Sequence, residues 1–196
     1  MRLRHALRAD LPTIVDIWTS AFATDPYLVW MAGGPDNWPS FGPAWLTFIA
    51  ELAFERGHTY LADPAHLAVA WIPPDLSLVD ADDVQRGWAI IAASAGEARA
   101  EDAIGVVMTA RGMVLDEPHW TLQYIGVRSS ESGRGLGTTA VAPMLTVCDA
   151  EGLPCFLVSS NPRNRAFYER LGFEVVGEVV TPDGAAMMTP MQRLAR

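Results

Sequence analysis

The chain has 196 residues, half of them hydrophobic, and carries 23 acidic against 14 basic side chains for a net charge of −9. That length buries one core and is most simply a single domain with an insertion, while the negative balance argues against nucleic-acid binding and suits an amine-bearing partner. The longest apolar runs, such as residues 89–93, fall far short of the roughly 20 residues of a membrane helix, and residues 1–5 lead into no signal-peptide core, so a cytoplasmic protein with no membrane partner is expected.

All the basic residues are arginine, which we read as codon bias in a GC-rich genome. Cys148 and Cys155 have no metal-ligand spacing, so we expect two reduced, packed thiols and no metal.

In chain order, residues 3–8 read as a short strand, followed by a helix with Asp10 as N-cap, Pro12 in the first turn and Ile14, Ile17, Trp18 and Phe22 as its buried stripe. The aromatic stretch 22–31 predicts a short helix or a packed loop. A helix over 40–56 carries Trp45, Phe48, Ile49, Leu52 and Phe54 on one face. Residues 58–62 and 66–72 form a hairpin about Asp63-Pro64-Ala65, closed by Pro73-Pro74. Two helical stretches, 80–99 and 103–112, make up an insertion over about 75–113. A strand follows over 119–127, alternating apolar Trp120, Leu122 and Tyr124 with polar partners. After a glycine-rich turn a helix begins at Leu136, with a kink expected at Pro143. The remainder predicts a strand over 155–159, a helix over 163–171 stopped by Gly172, and strands over 173–180 and 186–191. The order β-α-α-β-β-α-α-β-α-β-α-β-β makes an α/β fold, a mixed sheet with helices on both faces.

Two stretches carry the chemistry. In the first, Ser132-Gly133-Arg134-Gly135-Leu136-Gly137-Thr138, three glycines leave backbone N–H groups free at a helix N-terminus, where an anion is favoured and a pyrophosphate would fit. Alone, Gly-x-Gly-x-Gly admits a dinucleotide turn, a phosphate nest or a tight connection. A P-loop requires a lysine, and the chain has none. A Rossmann fingerprint needs a different glycine spacing and an acid closing the next strand, which Cys155-Phe156-Leu157-Val158 does not supply.

The second stretch runs from Ser159 to Phe173 and contains Asn161-Pro162-Arg163-Asn164-Arg165-Ala166-Phe167-Tyr168-Glu169-Arg170-Leu171-Gly172-Phe173. Together the two resemble the GNAT superfamily of N-acetyltransferases. The phosphate loop of that family reads Arg/Gln-x-x-Gly-x-Gly/Ala; both glycines match here, with Ser132 in the first position. Asn164 stands where the later motif usually has a small residue. The string 161–170 and the His119-Trp120-x-Leu122 strand start resemble the branch containing puromycin-type acetyltransferases.

The resemblance implies a mostly antiparallel GNAT-like sheet, acetyl-CoA as cosubstrate, and a division into an acceptor side over 1–115 and a cofactor core over 116–196. It implies two strands that splay apart, with Ile125 and Val127 pairing the pantetheine arm, and an N–H near Ile125 or Gly126 polarising the thioester oxygen; Gly126 is also a candidate bulge. The diphosphate would rest on Gly133, Arg134, Gly135, Leu136, Gly137 and Thr138. Asn161 would bond the pantetheine arm, cap the following helix, or do both. Tyr168 is the implied general acid for the leaving thiolate; its other reading is a packed aromatic beside Phe167. The general base is open. Gln123 cannot accept a proton usefully, whereas His119, a residue type that titrates near neutrality, is the first candidate, with Glu117 beside it and Asp25, Glu51 and His58 as others. The acceptor is expected to be a small-molecule primary amine: an antibiotic, a polyamine-like amine or an amino-acid derivative. A homodimer stays open. The competing reading is a coenzyme A-binding module without transfer activity.

Overall fold

The computed structural model describes residues 1–114 and 117–196. Eight strands, β1 (Arg2–His5), β2 (His58–Asp63), β3 (Leu67–Ile72), β4 (Trp120–Val127), β5 (Cys155–Ser159), β6 (Glu174–Val175), β7 (Val179–Val180) and β8 (Met187–Arg193), form one mixed sheet. Its order is β1-β2-β3-β4-β5-β8-β6, with β7 also paired to β8. Every pairing is antiparallel except β4 with β5. The helices are α1 (Leu11–Ala21), α2 (Pro26–Met31), α3 (Trp38–Arg56), α4 (Ala81–Ala95), α5 (Glu97–Arg111), α6 (Leu136–Glu151) and α7 (Arg165–Arg170).

The layering follows from β3, all six residues of which are buried, as expected of a strand covered on both faces. Its alternate side chains go to different cores. Ala68, Ala70 and Ile72 belong to a cluster with α1 to α5, and Leu67, Val69 and Trp71 to one with α6 and α7. The small side chains on the first face make room for an indole. Trp18 of α1 lies over the Ala68↔Gly126 pair and donates Nε1–H to the Ala68 carbonyl at 3.1 Å. A Cβ on Gly126 would stand 2.6 Å from Trp18 Cδ1, so glycine is required there by helix packing. The bulge lies elsewhere. Between Ala70 and Trp71 the partner residue jumps from Tyr124 to Leu122, leaving Gln123 as the extra residue of β4.

Several boundaries differ from those the sequence predicts. Strand β4 starts at Trp120, one residue after His119. The α4–α5 break falls at Gly96, whose φ of +88° ends α4, because a left-handed backbone suits glycine and stops the ladder. The segment over 163–171 is a 3-10 turn, Pro162–Asn164, followed by α7, and the strand over 173–180 is two short pieces, β6 and β7. The 22–31 stretch does contain a helix, α2, whose N-cap Asp25 accepts N–H bonds from Tyr27 and Leu28. Asp10 gives α1 no side-chain cap. It accepts instead from the Leu7 N–H and the Arg4 guanidinium, which holds its carboxyl down at about 2.

Two ion-pair arrangements tie the layers. Arg193 of β8, 5% exposed, makes a two-pronged pair with Asp149 of α6 at 2.7 and 2.8 Å, the geometry for which a guanidinium is suited. On the other face the Arg99 guanidinium of α5 lies 4.1 Å from the Trp30 ring centroid, and both donate to Asp183 in the turn between β7 and β8. Among the described residues no helix is long and apolar enough to cross a membrane. Cys148 and Cys155 are free and buried.

Candidate active site

The site begins where the one parallel pairing fails. β4 and β5 share only the positions Trp120↔Cys155 and Thr121↔Phe156. Past Thr121, β4 stays with β3 and β5 stays with β8, so the two strands part and β4 keeps an open edge. The Arg128 N–H donates to the His66 carbonyl on the β3 side. Alternation along an antiparallel strand then turns the peptide groups of Gly126 to β3 and those of Ile125 and Val127 to the open edge. Of the two positions from which an N–H was expected to reach a thioester oxygen, Ile125 has it free and Gly126 does not.

A cavity of about 330 Å³ opens at this divergence, walled by β4, by β5 through Ser160, by Tyr168, and by α2 to α5 on the helix-rich side. Its walls are mostly apolar, with Phe22, Met31, Trp45, Phe48 and Ile104 among them. The bulge at Gln123 shapes its floor. One extra residue lets Gln123 and Tyr124 both face the α1–α5 side, where Tyr124 packs on Trp18 and Phe22 and its hydroxyl accepts from Trp45 Nε1 at 3.1 Å. Burial pushes the Tyr124 phenol up to about 12. Gln123 Oε1 accepts from the Arg111 guanidinium at 2.6 Å.

At one mouth of the divergence lies the glycine loop. Gly133 and Gly135 have φ of +77° and +75°, and among the described residues nothing beyond the adjoining chain lies within 4 Å of where a Cβ would stand; their lack of a side chain serves the backbone path and leaves open space above it. Gly137 is different, since its Cβ would meet Phe167 Cζ at 3.2 Å. Gly135 is the N-cap of α6 and supplies no capping side chain, so first-turn N–H groups remain available at the positive end of a 16-residue helix. Arg134 is exposed and already paired with Glu131, an arrangement that a bound anion would have to compete with. Leu136 is partly buried, while Ser132 and Thr138 are exposed on the loop.

Across the divergence stand the residues of the second motif. Asn161 caps the 3-10 turn, Oδ1 accepting from the Arg163 N–H at 3.1 Å, which leaves its amide N–H₂ to donate elsewhere. Tyr168 is 7% exposed and lines the cavity. Burial first, and the nearby Asp25 carboxylate second, push its phenol well above the usual range. Among the described residues no protein group hydrogen-bonds that hydroxyl. Asp25 itself is buried and occupied, accepting from Tyr27 N–H, Leu28 N–H and Ser160 Oγ at 3.1, 3.0 and 2.7 Å; burial raises its carboxyl.

His119 lines the opposite end of the cavity, where β4 and β5 are still paired. Its Nδ1 faces the Glu117 carbonyl at 2.8 Å, so the tautomer that donates there leaves Nε2 as the proton-accepting nitrogen. It stands six residues before Ile125, roughly 20 Å along a strand. Glu117 is exposed, and neither Glu51 nor His58 lines the cavity. Among the described residues no group of three His, Cys, Asp or Glu side chains is arranged to hold a metal. Sequence reasoning missed Arg111 altogether. A basic residue in a helix's last turn ordinarily means only a favourable dipole contact, and nothing local signals that this one turns inward.

Comparison with known proteins agrees with this geometry. The acetyltransferase (GNAT) family model matches residues 61–173, more than half of the chain. A 5-NmdU N-acetyltransferase of Pseudomonas phage PaMx11 is 31% identical over 102 residues, 52% of this chain and 68% of the phage protein. An uncharacterised N-acetyltransferase of Schizosaccharomyces pombe is 45% identical over 58 residues, 30% of this chain; the match spans only 24% of the yeast protein. Among solved structures, a Corynebacterium glutamicum protein described as histone acetyltransferase HPA2 and related acetyltransferase has a TM-score of 0.67 at 23% identity, covering 99% of this chain and 96% of its own. Arylalkylamine N-acetyltransferase 2 of Aedes aegypti also reaches 0.67, at 10% identity, over 100% and 99% of the two chains. At such identities these likenesses establish the fold, a mostly antiparallel sheet carrying helices on both faces. With a family model spanning both motifs and both splayed strands, the chain belongs to the GNAT family of acetyltransferases.

Proposed function

We propose that the protein moves an acetyl group from acetyl-CoA to the primary amine of a small molecule by direct attack. The observation that carries this reading is the open edge of β4, which begins two residues into the parallel pairing, borders the cavity and lies near the glycine loop, where a Cβ on Gly137 would stand 3.8 Å from Ile125 Cδ1. Acetyl-CoA supplies an acetyl thioester activated for transfer. The chain's part is to bind and orient it: Ile125 and Val127 offer peptide groups along the open edge, the Ile125 N–H points where a developing oxyanion gains most from a fixed donor, and the amides of Gly133 through Thr138 hold phosphates. The Asn161 N–H₂ reaches the same arm while Oδ1 caps. Tyr168 keeps its proton at neutral pH and donates it to the departing thiolate. His119 Nε2, roughly 20 Å along the strand from Ile125, is beyond the one-water reach that a general base needs, so the amine's proton leaves to water in the cavity. In this reading all 196 residues form one cytoplasmic domain, with the acceptor entering from the 1–115 side. The strings 119–122 and 161–170 are what favour the puromycin-type branch.

Calorimetric titration with acetyl-CoA, its dephospho form and a pantetheine fragment tests the cofactor site. Saturable binding that weakens as phosphates are removed is expected, and its absence would sink the reading. His119→Gln is accordingly expected to change turnover, measured by thiol release, by no more than about twofold, and a loss on the order of 10²-fold would assign His119 the role of base. A second reading, a coenzyme A-binding module without transfer, is favoured by Gln123, an amide without a useful basic site and already engaged by Arg111. Binding of acetyl-CoA with no thiol release across a broad amine panel would select it.

A further inference from the structure

Arg111 is the last residue of α5, and its half-buried side chain lines the cavity wall beside the β4 bulge. A guanidinium has five N–H donors and stays charged in proteins. Among the described residues it has Gln123 Oε1 as its hydrogen-bond acceptor and no carboxylate against it. Burial works against its charge, lowering its proton affinity. Among the described lining residues the one carboxylate, Asp83, is already matched: it is 3% exposed and paired with Arg56 and Arg86. A half-buried cation whose donors are mostly unused among the described residues gains from an anion that completes it. The cavity around it is mostly apolar.

We propose that the acceptor is an apolar amine bearing a carboxylate, an amino acid with an aromatic or branched aliphatic side chain, and that Arg111, held by Gln123, receives that carboxylate. This rests on the acetyl-transfer reading above. The spacing agrees with it. Gln123 is two residues before Ile125, about 7 Å along the strand, and an α-amino acid spans about that length from a carboxylate hydrogen-bonded at one end to an amine reaching its target at the other. The apolar walls receive the side chain. A positively charged polyamine meets the reverse conditions, since among the described residues its charges would face a guanidinium with no carboxylate against it and a lining carboxylate, Asp83, that is already paired. The negative surface charge therefore does not decide the acceptor, because the field that selects a ligand is that of the cavity.

The test uses matched pairs, phenylalanine with phenethylamine and leucine with isoamylamine, in a thiol-release assay with acetyl-CoA, alongside calorimetry of N-acetylphenylalanine and N-acetylphenethylamine as product probes. The protein is expected to favour the carboxylate member in kcat/KM, and N-acetylphenylalanine in affinity, by about tenfold to a hundredfold. In Arg111→Gln that ratio falls to near one, the loss appearing mainly in KM; Arg111→Lys restores part of it. Equal handling of both members by the unmodified protein, or an equal loss for both in Arg111→Gln, would overturn the proposal. Acetyl-CoA titration keeps the two readings apart. If acetyl-CoA binds and neither carboxylate probe does, the acceptor assignment fails alone. If acetyl-CoA does not bind, the transfer reading fails, and the product probes still report whether Arg111 receives a carboxylate.

Discussion

Replacing Gly135 with valine is expected to weaken acetyl-CoA binding on the order of 10²-fold or more, from two separable causes. At φ +75° a side chain costs about 1–2 kcal/mol of backbone strain, and a β-branched one is the least suited to that conformation. The lost amide-to-phosphate bonds, charge-assisted, are each worth about 1.5–3 kcal/mol. Among the described residues nothing beyond the adjoining chain lies within 4 Å of the new Cβ, so the fold has no steric reason to fail. Gly135→Asn separates the causes, because asparagine visits the left-handed region at little cost yet still places a Cβ above the loop. Weak binding by both variants would locate the phosphates over Gly135. Tight binding by the asparagine variant would mean that backbone conformation alone matters, and tight binding by both would move the phosphates elsewhere.

Tyr168→Phe is expected to lower turnover on the order of 10²-fold while changing acetyl-CoA affinity by no more than about twofold. The hydroxyl has no protein partner among the described residues, so its removal strands no donor or acceptor, and the ring keeps its packing against Phe167 and Phe173. Because burial and the neighbouring Asp25 carboxylate raise the phenol, it holds its proton throughout the neutral range. A basic limb in the pH–rate profile near neutrality therefore belongs to another group. Single-turnover thiol release distinguishes chemistry from product release. Unaltered single-turnover rates would leave Tyr168 as a packed aromatic and nothing more.

The family was legible in the C-terminal half because its signals there are local. A glycine loop must show its glycines, and an Asn-Pro start followed by Phe-Tyr and Leu-Gly-Phe keeps its spacing in one short segment. The architecture around the cavity was not legible, for physical reasons that differ by residue. In α5 the buried positions are Ala100, Ala103, Val106 and Ala110, too small to outweigh polar neighbours in a periodicity reading, so the helix boundary slipped past Gly96. Gly126 looked like a bulge because a glycine in a strand is commonly one; the reason it is glycine, Trp18, is more than a hundred residues away in sequence. The extra residue at Gln123 leaves no trace in composition, since a bulge is a property of two strands and not of one. Arg111 acquires its meaning only when α5 is laid over that bulge.

With just two shared positions between β4 and β5, the sheet of the free protein resembles two leaves joined by a short spine, β1 to β4 on one side and β5, β8 and β6 on the other. A ligand lying along the spine acts as a missing strand, joining leaves that the polypeptide leaves apart. Binding energy there is shared with cohesion between the leaves: ligand at a hundred times its dissociation constant adds about 2.7 kcal/mol to the folded state. The amides of Ile125 and Val127, open in the empty protein, would then exchange with solvent about a hundredfold more slowly at that ligand concentration, so that the exposed seam of the empty protein becomes a protected line in the loaded one.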